Sequence, residues 1–309
     1  MSPKISICIP AYKRTAYLRR LLDSITNQTF TNFEVVVSDD SPDNSVELVC
    51  NEYASQFKLS YYKNSVALGT PANWNFAISK ANGEWIKLMH DDDWFAHENA
   101  LAVFARHLGE SKFIFSAYTN YYDNGNTKTI YLRSFWKNKI KKNPPILIAE
   151  NVIGPPSVTL IHSSIKELYD ERLPWRVDIE FYNRVLKYTK DYFYVKQPLI
   201  KVGISESQVT QSCIYKPEVE LPEGYILLQK QGVQPLRNIL IYDAWWRLLR
   251  NMNITKQQQL EQFGNYKWPE VIIKMVGDFA KIPGKLLQIG AFSKMLMVLS
   301  YLKNKKNIS

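Results

Sequence analysis

Two acidic clusters hold the residues best placed to do chemistry: Ser38-Asp39-Asp40-Ser41-Pro42-Asp43 and His90-Asp91-Asp92-Asp93-Trp94. Each follows a strand-like apolar run, Phe33 to Val37 and Glu84 to Met89. If these runs are neighbouring parallel strands, the carboxylates gather at their carboxyl ends, where open α/β sheets bind ligands. Carboxylates crowded there repel one another and resist desolvation, and a hard divalent cation is the simplest group that keeps them ionised. The pattern therefore predicts a metal-phosphate site.

The elements that must position these residues alternate regularly. Ile5 to Pro10 suits a buried strand, and Tyr17, Leu18, Leu21, Leu22 and Ile25 recur at helical spacing. A second strand and a second helix (Val46, Val49, Tyr53) follow, then a third strand from Leu59 to Tyr62. Thr70-Pro71 and Gly83 bracket a helix over 71–82, with Thr70 as its capping hydroxyl. This alternation predicts an α/β fold with a mostly parallel sheet covered by helices. Further on, 97–108 reads as a helix, and 113–122, 158–161 and 192–202 read as strands. Residues 124–142 read as a mobile loop or excursion. Phe181, Tyr182, Val185 and Leu186 form one helical face, with Asp178 in the opening turn on the side that faces the protein.

The chain has 309 residues, 46% hydrophobic and 22% charged, the profile of an ordinary globular protein. Its three cysteines have no metal-like spacing and read as buried free thiols. They suit a reducing cytosol, and the amino terminus runs into a strand without a signal-like apolar region. No uninterrupted apolar stretch is long enough to span a bilayer. The net charge of +10 is concentrated late: from Lys267 onward eight lysines face only Glu270 and Asp278, which argues against nucleic-acid binding by the first part. Domain expectations are 1–216, in halves 1–100 and 101–216, followed by a helical basic region at 217–309. In that region Pro222, Gly224, Gly232 and Pro235 suggest a linker, and Ile239 to Leu249 a tryptophan-rich helix. Two amphipathic stripes come next: Ile272, Met275, Val276 and Phe279, then Phe292, Met295, Leu296, Leu299 and Leu302. Flanking lysines let such helices lie in the interface of an anionic membrane, or the stripes pack on protein.

The ordered motifs resemble the family 2 glycosyltransferases, inverting enzymes of the GT-A fold, from Lys4 to about Thr210. Ile5 to Tyr12 matches the opening strand and nucleotide-contacting turn, with Lys13 where asparagine is usual. Gln28-Thr29-Phe30, Phe33 to Ser41, and Asn64, Gly69 and Asn75 match further segments. His90-Asp91-Asp92-Asp93 stands at the DxDD motif, and Asp170 to Leu173 followed by Asp178 matches the surroundings of the general base. The resemblance implies a nucleotide-sugar donor, UDP being commonest, with Mn2+ or Mg2+ bound by Asp92 and supported by Asp93. It places Pro10, Ala11, Tyr12, Arg14, Asp39, Asp40, Asn75, Asp91 and Asp92 around the donor. Asp178 would deprotonate the attacking hydroxyl in a single inverting displacement. Trp175 and Ser157 are expected on the acceptor side. The acceptor implied is a glycan, polyprenyl-diphosphate-linked, at the cytoplasmic face of a membrane in bacterial surface-polysaccharide synthesis.

Departures are visible. His90 replaces the first aspartate, so the metal shell relies on Asp91 to Asp93; Trp74 replaces a common arginine, and Val177 the glutamate before the base, leaving Glu180 as the alternative carboxylate. Ser205 stands where relatives place a histidine, in the stretch Ser205 to Thr210. Two rival classes remain. A sugar nucleotidyltransferase needs a glycine-rich loop after the first strand, where this chain has Ala11-Tyr12-Lys13-Arg14. A non-catalytic glycan-binding scaffold would not need three separate acidic sets.

Overall fold

Apolar β1 (Ile5–Ala11) is followed by α1 (Thr15–Thr26), which buries Leu18, Leu21, Leu22 and Ile25 as one face, and then by β2 (Phe33–Asp39), the parallel neighbour of β1. The chain continues through α2 (Ser45–Tyr53), β3 (Leu59–Lys63), α3 (Ala72–Ser79) and β4 (Trp85–Leu88). Next come β5 (Trp94–Phe95), α4 (Ala100–Arg106), β6 (Phe113–Tyr122), β7 (Thr127–Ile130) and α5 (Ser134–Lys142). β8 (Thr159–His162), α6 (Val177–Thr189) and β9 (Phe193–Ile204) complete the sheet-bearing part. This computed structural model describes residues 3–205 and 213–308. The expected diphosphate-side stretch lies outside the described residues from 206 onward.

Among the described residues, nine strands join one sheet in the order β3-β2-β1-β4-β8-β6-β9-β5, with β7 on β6. The first four run parallel, as the strand-helix alternation predicts. Beyond β4 the sheet is mixed: β8 is antiparallel to β4 and β6, β9 parallel to β6, and β5 antiparallel to β9. α3 packs on β1 and β2, α4 on β9 and α6 on β6. Apolar strand residues such as Ile5, Ile7, Val35, Val36 and Phe113 are wholly buried beneath them.

Three local expectations are corrected. Residues 124–142 are structured: β7 folds back on β6 around Gly125 at φ +82°, and α5 buries Trp136 and Ile140 four residues apart. Thr70 does not cap α3, which begins after Pro71 with no side-chain cap. The proline and glycine punctuation after Pro217 is not a linker: Pro222 and Gly224 lie inside α7 (Pro217–Gln231), Gly232 caps its carboxyl end, and Pro235 sits in a 3-10 turn over Gln234–Arg237. Gly224 there has a packing reason, since a Cβ at this position would meet the Trp245 ring at 2.9 Å.

The contacts divide the chain into two units, residues 1–142 with 152–206, and residues 143–151 with 207–309. In the second unit, α8 (Ile239–Asn251), α9 (Gln257–Glu261), α10 (Glu270–Phe279), α11 (Gly284–Leu287) and α12 (Gly290–Asn304) follow α7. Trp245 and Trp246 are core residues; the Trp246 ring lies 4.3 Å from Phe279, and its Nε1 donates to Ser293 Oγ at 3.0 Å. The two amphipathic stripes have opposite fates. Ile272, Met275, Val276 and Phe279 of α10 are buried. Met295, Leu299 and Leu302 of α12 are 51%, 57% and 61% exposed, while its buried face carries Ser293, Met297, Ser300, Tyr301 and Asn304. Ser300 Oγ donates to Asp278 at 2.6 Å, Lys303 Nζ at 2.7 Å and Asn304 Nδ2 at 3.2 Å. Against the upward push of burial, these partners hold the Asp278 carboxyl below its ordinary range. No helix among the described residues is long and apolar enough to cross a membrane.

Candidate active site

The acidic turn leaves β4 at its carboxyl end, beside the end of β1, because β1 and β4 are parallel neighbours. Arg14, at the start of α1, spans it: Nε donates to Asp91 Oδ2 at 3.2 Å, Nη2 to Asp91 Oδ1, and Nη1 to Asp92 Oδ2 at 3.2 Å. The backbone of the turn is held as well. Arg20 Nη2 donates to the Asp92 carbonyl at 2.7 Å, and the Gly203 N–H donates to Asp93 Oδ1 at 3.1 Å. A Cβ on Gly203 would stand 2.5 Å from that same Asp92 carbonyl, so β9 approaches as closely as a glycine allows.

Ser157 braces the turn from the other side. Its Oγ accepts the His90 N–H at 3.0 Å and bonds the Asp93 carboxylate, while its carbonyl receives the buried Lys87 ammonium. The expectation that Ser157 meets an acceptor is corrected, since its side chain is wholly buried and its hydroxyl is committed in both directions.

The electrostatics are those of a crowded acidic pocket. Burial pushes Asp91 up to about 7, against the pull of Arg14 and with the charge of Asp92 adding to the rise. Asp93 is raised well above its ordinary value, again chiefly by burial and then by Asp92. Burial lowers His90 to about 4 and Lys87 to about 7. Carboxyls so disposed toward a proton would be discharged equally by a cation. One nitrogen of His90 and one oxygen each of Asp92 and Asp93 lie within 4.8 Å of one another. His90 Nε2 is buried without a hydrogen-bond partner among the described residues. A divalent ion fits this donor set. Sequence reasoning passed over His90 because it departs from the all-aspartate motif; its place at the head of the acidic run was the available signal.

The donor-side residues divide into two kinds. Pro10 and Ala11 end β1, followed by exposed Tyr12 and by Lys13, which adopts φ +63° where asparagine is more at ease. Asp40 accepts from Asn64 Nδ2 at 2.7 Å, the Leu68 N–H at 3.0 Å and the Gly69 N–H at 2.8 Å. A carboxylate has about four acceptor positions, which leaves room for one more donor, such as a base N–H. Asp39 is bound by the Ser41 N–H, Tyr61 Oη and Lys63 Nζ and anchors the loop; at 0% exposure against 6% for Asp40, it is burial that shuts a ligand out. Asn75 is corrected in the same way. Its amide clamps the Tyr169 backbone from both sides, each bond 2.9 Å, and its Nδ2 also reaches Glu171 at 3.2 Å.

Asp178 lies in the first turn of α6, with its Oδ1 accepting the Ile179 N–H at 2.7 Å. A continuous aromatic series links α6 to the acidic turn: Phe181 stacks on Tyr169 at 4.0 Å, Tyr169 meets Trp74 edge-on at 5.2 Å, and Trp74 packs on His90 at 4.6 Å. Trp74 thus has a packing role between Tyr169 and His90. Glu180, the alternative base, is 2% exposed and bound to Arg184 at 2.7 Å, and Arg184 in turn binds Glu167. Trp175 is half-buried, with the Arg176 guanidinium 4.7 Å from its ring centre.

Residues 6–165 match the model of Glycosyl transferase family 2. The chain is 33% identical over 93 residues to the GalNAc(5)-diNAcBac-PP-undecaprenol beta-1,3-glucosyltransferase of Campylobacter jejuni, covering 29% of this chain and 30% of that protein. Against the first three curated relatives, the alignments span 33%, 63% and 32% of those proteins' lengths. Among solved structures, the UDP-GlcNAc complex of S. aureus TarS superposes with a TM-score of 0.62 at 15% identity, covering 98% of this chain and 92% of that one. The mannosyltransferase PcManGT of Pyrobaculum calidifontis, solved with GDP-Man and Mn2+, gives 0.57 at 12% identity, covering 100% and 89%. At these identities the likeness is one of fold.

Proposed function

This chain belongs to glycosyl transferase family 2, and we propose that it moves a sugar from a nucleotide-diphosphate donor, UDP first among the candidates, onto a glycan acceptor by an inverting displacement. The fold is the mixed α/β GT-A arrangement shared with TarS. The observation that carries the reading is the convergence of Asp91, Asp92, Asp93 and His90 at the carboxyl end of β4, linked through Trp74, Tyr169 and Phe181 to the helix that bears Asp178.

Asp92, supported by Asp93, would hold Mn2+ or Mg2+, which when bound supplies charge to a departing diphosphate. Arg14 adds a fixed positive charge beside Asp91 and Asp92, and Asp40 keeps one acceptor position for a base. Asp178, in the first turn of α6, takes the proton of the attacking acceptor hydroxyl, and Glu180 pairs with Arg184. We place this chemistry in residues 1–216. In residues 217–309 we assign membrane contact to the outward Met295, Leu299 and Leu302 of α12, bordered by Lys294, Lys303, Lys305 and Lys306. α10 takes no part in this contact, because its stripe is interior. A lipid-linked acceptor at the cytoplasmic membrane face fits that surface and the undecaprenol-linked substrate named for the Campylobacter relative.

A thermal-shift panel of UDP, dTDP, GDP and CMP, with and without Mn2+, tests the donor reading, since a ligand of the native state raises apparent stability. A metal-dependent shift with one nucleotide, lost in Asp92→Ala, is expected. No shift with any of the four sinks it.

A further inference from the structure

We infer that His90 is itself a cation ligand, completing the site with Asp92 and Asp93 and biasing this protein toward manganese over magnesium. The inference deepens the donor-site reading above and rests on it. An ion with bonds of about 2.1 Å holds its donor atoms at most about 4.2 Å apart. Three donors sharing one ion stand closer than that trans limit, about 3 to 3.6 Å apart, and the donor atoms of His90, Asp92 and Asp93 all lie within 4.8 Å of one another, so side-chain rotation brings them onto one ion.

The histidine is built for such a role. Its backbone N–H is tied to Ser157 Oγ and its ring is packed on Trp74, which together fix where the ring stands. Its Nε2 is buried with no hydrogen-bond partner among the described residues. A buried polar atom left unpaired is costly enough to call for a ligand or a water. Its place in the sequence also matters, because the acidic run gives the site two oxygen donors from Asp92 and Asp93 and His90 adds a nitrogen. Magnesium favours oxygen ligands and retains its waters, whereas imidazole suits first-row transition ions. The same fold with aspartate at position 90 would offer an all-oxygen site and would discriminate less.

Pulsed EPR of the full chain with MnCl2, alone and with UDP, reads the ligand directly through nitrogen-14 modulation of the manganese echo. The wild type is expected to show that modulation. His90→Asp should bind Mn2+ without it, and His90→Gln serves as a second variant, with the folding of both checked by circular dichroism. By calorimetric competition, the ratio of Mn2+ to Mg2+ affinity should fall roughly tenfold or more in His90→Asp, at least the effect of losing a supporting residue around a metal. Bound Mn2+ without nitrogen modulation in the wild type, or modulation that persists in His90→Asp, overturns the role of His90 and leaves the donor reading standing. Absence of Mn2+ binding both with and without UDP overturns the two together.

Discussion

Ser157 Oγ accepts the backbone N–H of His90 across 3.0 Å, joining the segment before β8 to the turn after β4, although the two residues are 67 positions apart. The same hydroxyl bonds Asp93. Ser157→Ala should therefore destabilise the protein by about 1–3 kcal/mol, the cost of leaving buried groups unpaired. It should also weaken binding of Mn2+ with UDP. Urea denaturation and titration calorimetry check both, and an unchanged midpoint would show that the brace is dispensable.

Arg14 is a resident cation on Asp91 and Asp92. Its removal should act in opposite directions on the two ligands. Arg14→Ala should bind Mn2+ more tightly in the absence of nucleotide, because a competing charge is gone, and bind UDP more weakly. Calorimetry with each ligand separately checks the sign of both effects.

Asp178→Asn should lower turnover by roughly 10²–10⁴, the usual contribution of a positioned base, and leave UDP and Mn2+ affinity unaltered. Glu180→Gln should behave differently, lowering thermal stability through the buried pair with Arg184. Equal turnover in Asp178→Asn and wild type, measured with a competent acceptor, would remove Asp178 from the mechanism.

Lys87 gives the stability a particular pH dependence. Burial lowers its pKa from 10.5 to about 7, so between these values the unfolded chain holds a proton that the folded chain lacks. Stability rises with pH wherever the unfolded state binds more protons, so this group contributes a rise from about pH 7 toward 10.5. Below 7 both states are charged and the folded state bears the full cost. Lys87→Met abolishes that contribution, and its stability relative to wild type should fall as pH is raised from 7 to 10. Denaturation curves at the two ends of the window check it.

The outward face of α12 separates membrane contact from folding. Leu299→Glu, at a position 57% exposed, should reduce sedimentation with anionic vesicles and leave the melting temperature unchanged. Met275→Glu, in the buried stripe of α10, should instead destabilise the fold severely. Equal vesicle binding by Leu299→Glu and wild type would exclude this face as the contact.

The sequence was most readable where apolar period and punctuation agreed. β1 to β4 and their helices follow from runs such as Ile5 to Ala11 and from spacing such as Leu18, Leu21, Leu22 and Ile25. The second half of the sheet was less so, because an antiparallel β8 and a two-residue β5 are set by partners distant in sequence. α5 was hidden because Trp136 and Ile140 are its only buried residues, within a strongly basic stretch. The acidic turn was legible from its composition. Its supports were not: Ser157, Arg20 and Gly203 reach it from three other parts of the chain. α12 misleads for a further reason, since its buried side includes the polar Ser300 and Asn304, which donate to Asp278 and Tyr242. Periodicity identifies an apolar face without revealing which side the protein covers.

The close approach of β9 to the acidic turn makes position 203 a marker for reading distant relatives. Any side chain there would push against the Asp92 carbonyl, and because the clash is between Cβ and backbone no choice of rotamer relieves it. A homologue that has kept its three aspartates but replaced this glycine has moved one of them, whatever its motif spells. Drift at a residue that carries no functional group would then be an early sign that a lineage has given up the chemistry while keeping the letters.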